Sequence, residues 1–174
     1  MKKKLLGEER REVILEWLKT SSDPITGNEL ALRANVSRQV IVGDVTILKA
    51  KNEPIIATSQ GYLYMNQPIT RSKRIVACSH PPDKAAEEML LLVNLGITIG
   101  DVIIEHSVYG DLTASIMVST PQEVHQFVDK INSTKSAYLS ELTNGIHLHT
   151  IYASSEDALD KAEEALRSHG FLIE

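Results

Sequence analysis

The formal charge of the chain changes sign part-way along its length. Residues 1–74 carry 13 lysines and arginines against 8 aspartates and glutamates, whereas residues 75–174 carry 5 against 15. For a chain of 174 residues, this split favours two small domains over one large domain. A basic module joined to an acidic body predicts that only the first part meets a polyanion such as nucleic acid.

Composition and hydropathy exclude several classes of protein. The single cysteine, Cys78, cannot build a disulfide framework, which argues against a secreted disulfide scaffold. Charged residues follow Leu5 and Leu6 almost at once and leave no hydrophobic region for a signal peptide. The longest apolar stretches, such as residues 89–93, fall far short of the ~20 residues that a membrane span needs. We therefore expect a cytoplasmic protein that makes no contact with a membrane.

Three helices followed by a hairpin are predicted in the basic part, which we delimit as residues 1–68. The predicted elements, in chain order, are helices over 8–19, 27–34 and 38–51 and a hairpin of strands 54–57 and 62–65. Thr26 and Ser37 are the expected N-caps of the second and third helices. This order and the short turn between the last two helices are typical of a winged helix-turn-helix.

The start of the third helix carries the side chains expected to contact DNA. Ser37 can offer its hydroxyl and the helix N-terminus to a phosphate. Arg38 suits guanine or a phosphate, Gln39 suits adenine, and Lys49 suits the phosphate backbone. Gly43 lies in the middle of this helix, where it costs up to ~1 kcal/mol relative to alanine, and it permits close approach to DNA or to the second helix. The alternative is a three-helix module that packs against another protein.

The sequence of the acidic part predicts an α+β domain over residues 75–174. A basic linker, residues 69–74, joins this domain to the helix-turn-helix part. The predicted strands are 75–78, 101–109, 112–119, 146–152 and a closing strand at 171–173, and the three helices follow residues 82, 120 and 155. This order implies a mostly antiparallel sheet with helices largely on one side. No glycine-rich phosphate-binding motif is present, so nucleotide hydrolysis and dinucleotide binding lack support.

Four side chains of the acidic part form a candidate metal site. His147 and His149 are two residues apart on a predicted strand, so their rings share one face of the sheet. His80 and Glu88 reach the same centre if the helix after residue 82 lies over that strand. Three imidazoles and a carboxylate suit zinc, nickel, manganese or iron(II). The alternatives are two histidines on an exposed strand face, a hydrogen-bonded His80 at a strand end and a solvated Glu88.

The other three histidines are less informative. His106 ends a strand beside a turn that contains Tyr109, and ligand-binding residues are common at such positions. His125 and His169 lie in predicted helices without partners nearby in the sequence, and we expect them at the surface.

Two sets of motifs resemble a known family of regulators. Residues 36–41 read Val-Ser-Arg-Gln-Val-Ile, and together with Asp44 and Gly61-Tyr62 they resemble the type 11 helix-turn-helix of bacterial repressors. The motifs His80-Pro-Pro, His106-x-x-Tyr-Gly and Gly145-x-His-x-His-Thr resemble the three-histidine signature of the 3H domain. The combination is similar to niacin-responsive repressors of NAD biosynthesis and niacin uptake in Gram-positive bacteria and Thermotoga relatives.

The resemblance implies a homodimeric repressor, not an enzyme, that binds operator double-stranded DNA with nicotinic acid as corepressor. It also implies one divalent metal per chain held by His80, Glu88, His147 and His149. Nicotinate has a carboxylate and a pyridine nitrogen, so the metal can take one group while His106 or Tyr109 hydrogen-bonds the other. Two alternatives remain: a repressor for which the metal itself is the signal, and a metal-dependent hydrolase.

Overall fold

A computed structural model of the chain describes residues 6–65 and 71–174. It divides into two compact units, residues 1–69 and 70–174, each with its own apolar core. The predicted boundary at residue 68 and the first two linker residues, 69 and 70, lie outside the described residues. Among the described residues, no helix is long and apolar enough to cross a membrane.

The first unit consists of three helices and a two-stranded hairpin, as expected from its sequence. Its elements are α1 (Gly7–Thr20), α2 (Gly27–Ala34), α3 (Arg38–Ala50), β1 (Ile55–Ala57) and β2 (Tyr62–Tyr64). The Thr26 side chain caps α2 and the Ser37 side chain caps α3 by accepting backbone N–H bonds. Asn35 ends α2 in a left-handed conformation, and this leaves a short turn before α3.

The second unit is an antiparallel four-stranded sheet covered by three helices. Its elements are β3 (Ser72–Ser79), α4 (Ala85–Asn94), β4 (Thr98–His106), β5 (Gly110–Val118), α5 (Pro121–Thr134), β6 (Ile146–Ala153) and α6 (Glu156–Ser168), with 3-10 turns at Pro82–Lys84 and Leu139–Thr143. The strand order is β3-β6-β4-β5, and every neighbouring pair is antiparallel. This is the predicted α+β architecture.

The helices cover a single face of the sheet, and along β3 and β6 the side chains accordingly alternate between more buried and more exposed positions. Val76 and Ile151 point into the cluster that also holds Leu92 of α4 and Leu159 of α6. On the opposite face Ile75 remains 61% exposed. Side chains of these strands that point toward the helices therefore lie either in the core of the domain or in a site next to that core.

Residues 72–74 were predicted to belong to the linker, and this assignment is wrong. They form the start of β3, where Arg74 pairs with Ile151 of β6. The Arg74 guanidinium bonds Asp160 at 2.8 Å and Glu163 at 2.9 Å, both on α6. The run of basic residues is a strand neutralised by an acidic helix, and no local pattern in the sequence showed that partner.

The hairpin of the second unit is shifted by about three residues from its predicted position. β4 ends at His106 and β5 begins at Gly110, so the turn is residues 107–109 and not Gly110-Asp111. The His106 ring explains the shift, because its Nδ1 accepts the backbone N–H groups of Val108 at 3.1 Å and Tyr109 at 3.3 Å. The predicted closing strand is reduced to one bridge, between Leu172 and Cys78.

Candidate functional site

His80, Glu88, His147 and His149 meet at a single point beneath α4. The Oε2 atom of Glu88 lies 2.8 Å from Nε2 of His80, 3.3 Å from Nε2 of His149 and 3.4 Å from Nε2 of His147. The Nε2 atoms of His147 and His149 are 3.2 Å apart. The structure thus brings together all four residues that the sequence singled out as a metal site. We refer to them as the four-residue cluster.

Each member of the four-residue cluster is placed by the local structure of its element. Alternation along β6 turns His147 and His149 toward the covered face. Glu88 lies one turn into α4 and faces the same way as the core residue Leu92. His80 immediately follows β3, where residues 81–84 turn the chain into α4.

Burial removes two of the three alternatives that the sequence left open. Glu88 is 1% exposed, His149 2%, His147 3% and His80 6%. By contrast, the neighbouring Glu87 side chain is 49% exposed and forms a surface pair with a lysine. The two histidines of β6 are therefore not on an exposed strand face, and Glu88 is not a solvated helix position.

Backbone carbonyls orient the three imidazole rings. Nδ1 of His80 bonds the Pro81 carbonyl at 2.9 Å, and Nδ1 of His147 bonds the Gly145 carbonyl at 2.8 Å. Nδ1 of His149 bonds the Asp101 carbonyl at 2.6 Å. A carbonyl can only accept, so each Nδ1 carries a proton and each neutral ring presents the lone pair of Nε2 to the centre. Metal-binding histidines show the same arrangement.

The cluster favours positive charge at its centre. Burial disfavours the ionised form of Glu88, but the positive charge of His149 and the ring contacts outweigh it and lower the pKa of Glu88 well below its usual range. Burial also opposes protonation of His80 and His149, yet the Glu88 carboxylate raises the pKa of both rings. Either ring protons or a cation can satisfy such a carboxylate.

The chemistry of the donor set fits a divalent transition metal. Ligands about 2.0–2.1 Å from one ion at tetrahedral angles lie about 3.3 Å from one another. The separations of His147 and His149 from each other and from Glu88, 3.2 to 3.4 Å, match this spacing. Within the described part of the chain, Oε1 of Glu88 is buried and has no hydrogen-bond partner. This free oxygen gives the carboxylate capacity for a further contact.

Cys78 also lies beside the cluster, and it was not among the predicted ligands. Its Sγ, a carboxylate oxygen of Glu88 and a ring nitrogen of His147 all lie within 4.8 Å of one another. Burial and the negative charge of Glu88 raise the pKa of the Cys78 thiol above its usual range. Strand alternation was the signal that could have placed Cys78 here. Cys78 and His80 are two residues apart in the sequence, so their side chains lie on the same side of the extended chain.

An apolar cavity of about 200 Å³ opens beside the cluster. Its wall includes Phe127 and Ile131 of α5, Tyr138 in the following loop and all four residues of the cluster. Its volume is below the range of roughly 300–1,000 Å³ that is typical for drug-sized ligands, so it suits a molecule the size of a single ring. The sequence did not reveal the cavity because its walls come from six separate elements, α4, β4, β5, α5, the 3-10 turn at Leu139–Thr143 and β6.

The structure does not bring His106 and Tyr109 to this cavity. Asp101 contacts the cluster, and His106 lies five residues further along β4, about 16 Å away at the usual strand rise. Tyr109 is 74% exposed at the hairpin tip. Neither side chain therefore lies beside the cluster within one chain, and the expectation that His106 or Tyr109 hydrogen-bonds an effector stays a prediction. His125 and His169 are exposed, as predicted.

In the first unit, the residues predicted to contact DNA lie on one exposed surface. Ser37, Arg38 and Gln39 are exposed at the start of α3, and Lys49 is exposed near its end. Gly43 is also exposed, and a Cβ atom added there would have no atom within 4 Å. Gly43 is therefore not required for packing against α2, which was one of its two proposed roles.

Each of the two units matches a known protein family. The 3H domain family matches residues 73–174, and a helix-turn-helix (HTH) domain family matches residues 10–63. The transcription repressor NadR of Bacillus subtilis (strain 168) is 57% identical over 173 residues, which cover 98% of this chain and 96% of that protein. The chain belongs to this family of transcription repressors.

A second relative, less similar in sequence, also matches this chain over its whole length. The probable transcription repressor NiaR of Thermotoga maritima is 40% identical over 174 residues, which cover 100% of this chain and 99% of that protein. With its helix-turn-helix and 3H domains, the chain is a repressor of the NadR and NiaR type and not an enzyme. The hydrolase alternative is thereby removed.

Proposed function

We propose that the protein is a cytoplasmic, homodimeric repressor of genes for NAD biosynthesis or niacin uptake, with nicotinic acid as corepressor and a divalent metal in the second unit. One observation carries the proposal: a buried group of three imidazoles and a carboxylate forms the wall of an apolar cavity of single-ring size. Such a group of ligands suits a divalent ion, and a ligand in the adjoining cavity would lie next to that ion.

The proposed metal ligands are His80, Glu88, His147 and His149, with one ion per chain. Zinc, nickel, manganese and iron(II) all accept imidazole and carboxylate ligands. When bound, the ion supplies positive charge and a coordination position that attracts an anionic or nitrogen donor. The backbone bonds to Nδ1 of each histidine hold the rings ready and limit the reorganisation that binding requires.

Nicotinate fits the chemistry of the cavity. Its flat ring suits walls formed by Phe127, Ile131 and Val102, and its carboxylate or pyridine nitrogen suits the cluster at the other end. Tyr138 and Ser140 are polar residues of the same wall, and they are the proposed partners of the group that does not face the cluster. His106 and Tyr109 remain candidates for a dimer contact to the effector.

Operator binding is assigned to α3. Arg38 and Gln39 are proposed to read bases in the major groove, while Ser37 and Lys49 contact phosphates. The acidic second unit, which carries 5 basic against 15 acidic residues over 75–174, keeps the rest of the surface away from the polyanion. Two chains related by a two-fold axis would match two half-sites of an operator.

Corepression requires that nicotinate favour the dimer geometry that fits the operator, because a ligand shifts an equilibrium only through its different affinity for the two states. By linkage, operator DNA must tighten nicotinate binding by the same factor by which nicotinate tightens operator binding. Calorimetry of nicotinate binding with and without operator measures that factor.

The deciding experiment is a titration of operator binding with nicotinate at a fixed metal concentration, beside parallel titrations with nicotinamide and NAD. We expect nicotinate alone to tighten operator binding. If operator binding follows the metal concentration and ignores all three compounds, the protein is instead a metal-sensing repressor. That alternative is supported by the same cluster, because the cluster by itself contains a complete set of ligands.

A further inference from the structure

We propose that Asp101 of β4 is a positioning residue of the four-residue cluster. Its carboxylate holds a bulge in β4, and its backbone carbonyl, which lies on that bulge, accepts the Nδ1–H of His149 and turns Nε2 of the ring toward the ion. The inference rests on the proposed metal site, but not on nicotinate or on DNA binding. It gives Asp101 a role in that site although none of its atoms is a ligand.

His149 is the ring of the cluster whose orientation depends on a distant part of the chain. Nδ1 of His80 and Nδ1 of His147 bond carbonyls that are one and two residues away in the sequence. Nδ1 of His149 bonds the carbonyl of Asp101, 48 residues away on the neighbouring strand, at 2.6 Å. Local turns therefore orient the first two rings, whereas the third ring requires β4 to present a carbonyl at the right place.

The β4 strand is irregular at the position of Asp101. Its register shifts between Ile99 and Asp101 against β5, and between Ile99 and Ile103 against β6. In a regular antiparallel ladder, the carbonyls of a central strand bond the backbone of its neighbours. A bulge bends the strand and changes the direction of its groups, and bulges are frequent next to functional sites. Here the bulge lets a strand carbonyl bond the ring of His149.

The Asp101 carboxylate anchors the bulge to β6. Its Oδ1 atom accepts the backbone N–H of Thr150 at 2.9 Å, so a side-chain oxygen takes the place of the strand carbonyl of a regular ladder. Thr150 directly follows His149. Asp101 therefore holds two consecutive residues of β6, the ring of one through its carbonyl and the backbone of the other through its carboxylate. Hydrogen bonds to an ionised carboxylate are stronger than bonds between neutral groups.

Gly100 keeps the bulge close to β6. A Cβ atom added at Gly100 would lie 2.5 Å from Cε2 of Tyr152 and 3.1 Å from the carbonyl oxygen of Thr150, and both of these residues belong to β6. Only a residue without a side chain fits between them. Packing at residue 100 and the carboxylate bond at residue 101 together fix the position of the Asp101 carbonyl.

The consequence for the metal site is the choice of tautomer at His149. Because a carbonyl only accepts, its bond to Nδ1 keeps the proton of the neutral ring on Nδ1 and leaves the lone pair of Nε2 free for an ion. Nε2 lies 3.3 Å from Oε2 of Glu88, which can accept a proton from it. Without the carbonyl bond, the Nε2–H tautomer is therefore favoured by the Glu88 carboxylate, and that tautomer cannot bind an ion through Nε2.

Long-range 1H–15N NMR of the full-length, metal-free protein tests the inference, because it distinguishes the two tautomers of each histidine at a pH that keeps the rings neutral. We expect the Nδ1–H form of His149 in the wild-type protein. Asp101→Ala should shift His149 toward the Nε2–H form and leave His80 and His147 unchanged. It should also lower zinc affinity by roughly 10–100-fold, the usual cost of losing an outer-shell partner.

Two further variants separate positioning from a general effect on the strand. Asp101→Asn keeps an acceptor oxygen, so it should retain the tautomer of His149 and most of the zinc affinity. The amide proton of Thr150 should nevertheless move upfield, because its bond is no longer charge-assisted. The control is Glu105→Ala, which removes an exposed carboxylate from the same strand and should change neither the tautomer nor the zinc affinity.

An Asp101→Ala protein that keeps both the tautomer and the zinc affinity overturns the inference while the proposed metal site stands. If this variant folds poorly, the other two spectra decide. The Nε2–H form of His149 in the wild-type protein, or an unmoved Thr150 amide in Asp101→Asn, overturns the inference. A wild-type protein that binds no zinc overturns the metal site and the role of Asp101 together.

Discussion

Arg10 of α1 and Asp44 of α3 form a two-pronged ion pair that joins the first helix to the helix proposed to contact DNA. Nε of Arg10 donates to Oδ2 of Asp44 at 2.6 Å, and Nη2 donates to Oδ1 at 3.2 Å. Arg11 adds a third contact at 3.5 Å. Asp44 is 3% exposed, so this carboxylate is part of the interior that orients α3.

Asp44→Asn should destabilise the first unit by about 3 kcal/mol, because removal of one partner of a buried pair leaves the other charge uncompensated. Trp17 is the single tryptophan, so its fluorescence during urea unfolding reports on this unit. The control is Glu29→Gln, which breaks a surface pair whose side chains are 43% and 46% exposed and should cost under about 0.5 kcal/mol. Equal losses in the two variants would contradict the structural role of Asp44.

Gly43→Ala should stabilise the first unit and weaken operator binding at the same time. Alanine is favoured over glycine by up to ~1 kcal/mol inside a helix, and the added Cβ meets no atom within 4 Å. Gly43 lies one turn after Gln39 on the same helix face, so the methyl group would approach the DNA. The two effects are separated by urea unfolding and by an operator-binding assay. Unchanged operator affinity would show that this face of α3 does not approach DNA closely.

Arg38→Ala should weaken operator binding by about 1–3 kcal/mol if the guanidinium contacts a base, and should mainly reduce the salt dependence if it contacts a phosphate. The side chain is exposed, so the free energy of unfolding and the metal content should not change. Operator affinity is measured at several salt concentrations. Unchanged affinity together with unchanged salt dependence would mean that α3 is not the recognition helix.

The double variant His147→Ala with His149→Ala should abolish binding of the single ion per chain, because it removes two of the proposed ligands. The control is His125→Ala with His169→Ala, which changes two exposed histidines and should leave the metal content intact. Metal analysis of protein purified without chelator gives both results. Retention of the ion in the first variant would move the site away from β6.

Gly145→Ala should reduce metal binding although Gly145 is not itself a ligand. Its carbonyl accepts Nδ1–H of His147 at 2.8 Å, and a Cβ atom at this position would lie 2.3 Å from the carbonyl oxygen of His80. Both Gly145 and Gly96 have positive φ angles, +94° and +77°, but an added Cβ at Gly96 has no atom within 4 Å. Gly96→Ala therefore controls for backbone strain. Equal metal content in the two variants would contradict a positioning role for Gly145.

Most element types, and the residues of the four-residue cluster, could be predicted from the sequence because their signals are local. Helix caps at Thr26 and Ser37 and alternation at His147 and His149 are properties of a few neighbouring residues. Element ends were less predictable. The hairpin turn at residues 107–109 depends on how the His106 ring bonds the following backbone, and β3 begins early because α6 neutralises Arg74.

By itself, the sequence determined the two-part architecture, the covered face of the sheet and which side chains are able to bind a metal, since charge, periodicity and residue type are written along the chain. The tertiary structure alone decided that these side chains meet at Oε2 of Glu88, that Cys78 lies beside them and that a cavity adjoins them. The reason is physical. A site assembled from β3, α4, β6 and α5 depends on strand register and helix packing, and distances between such elements arise only when the core closes.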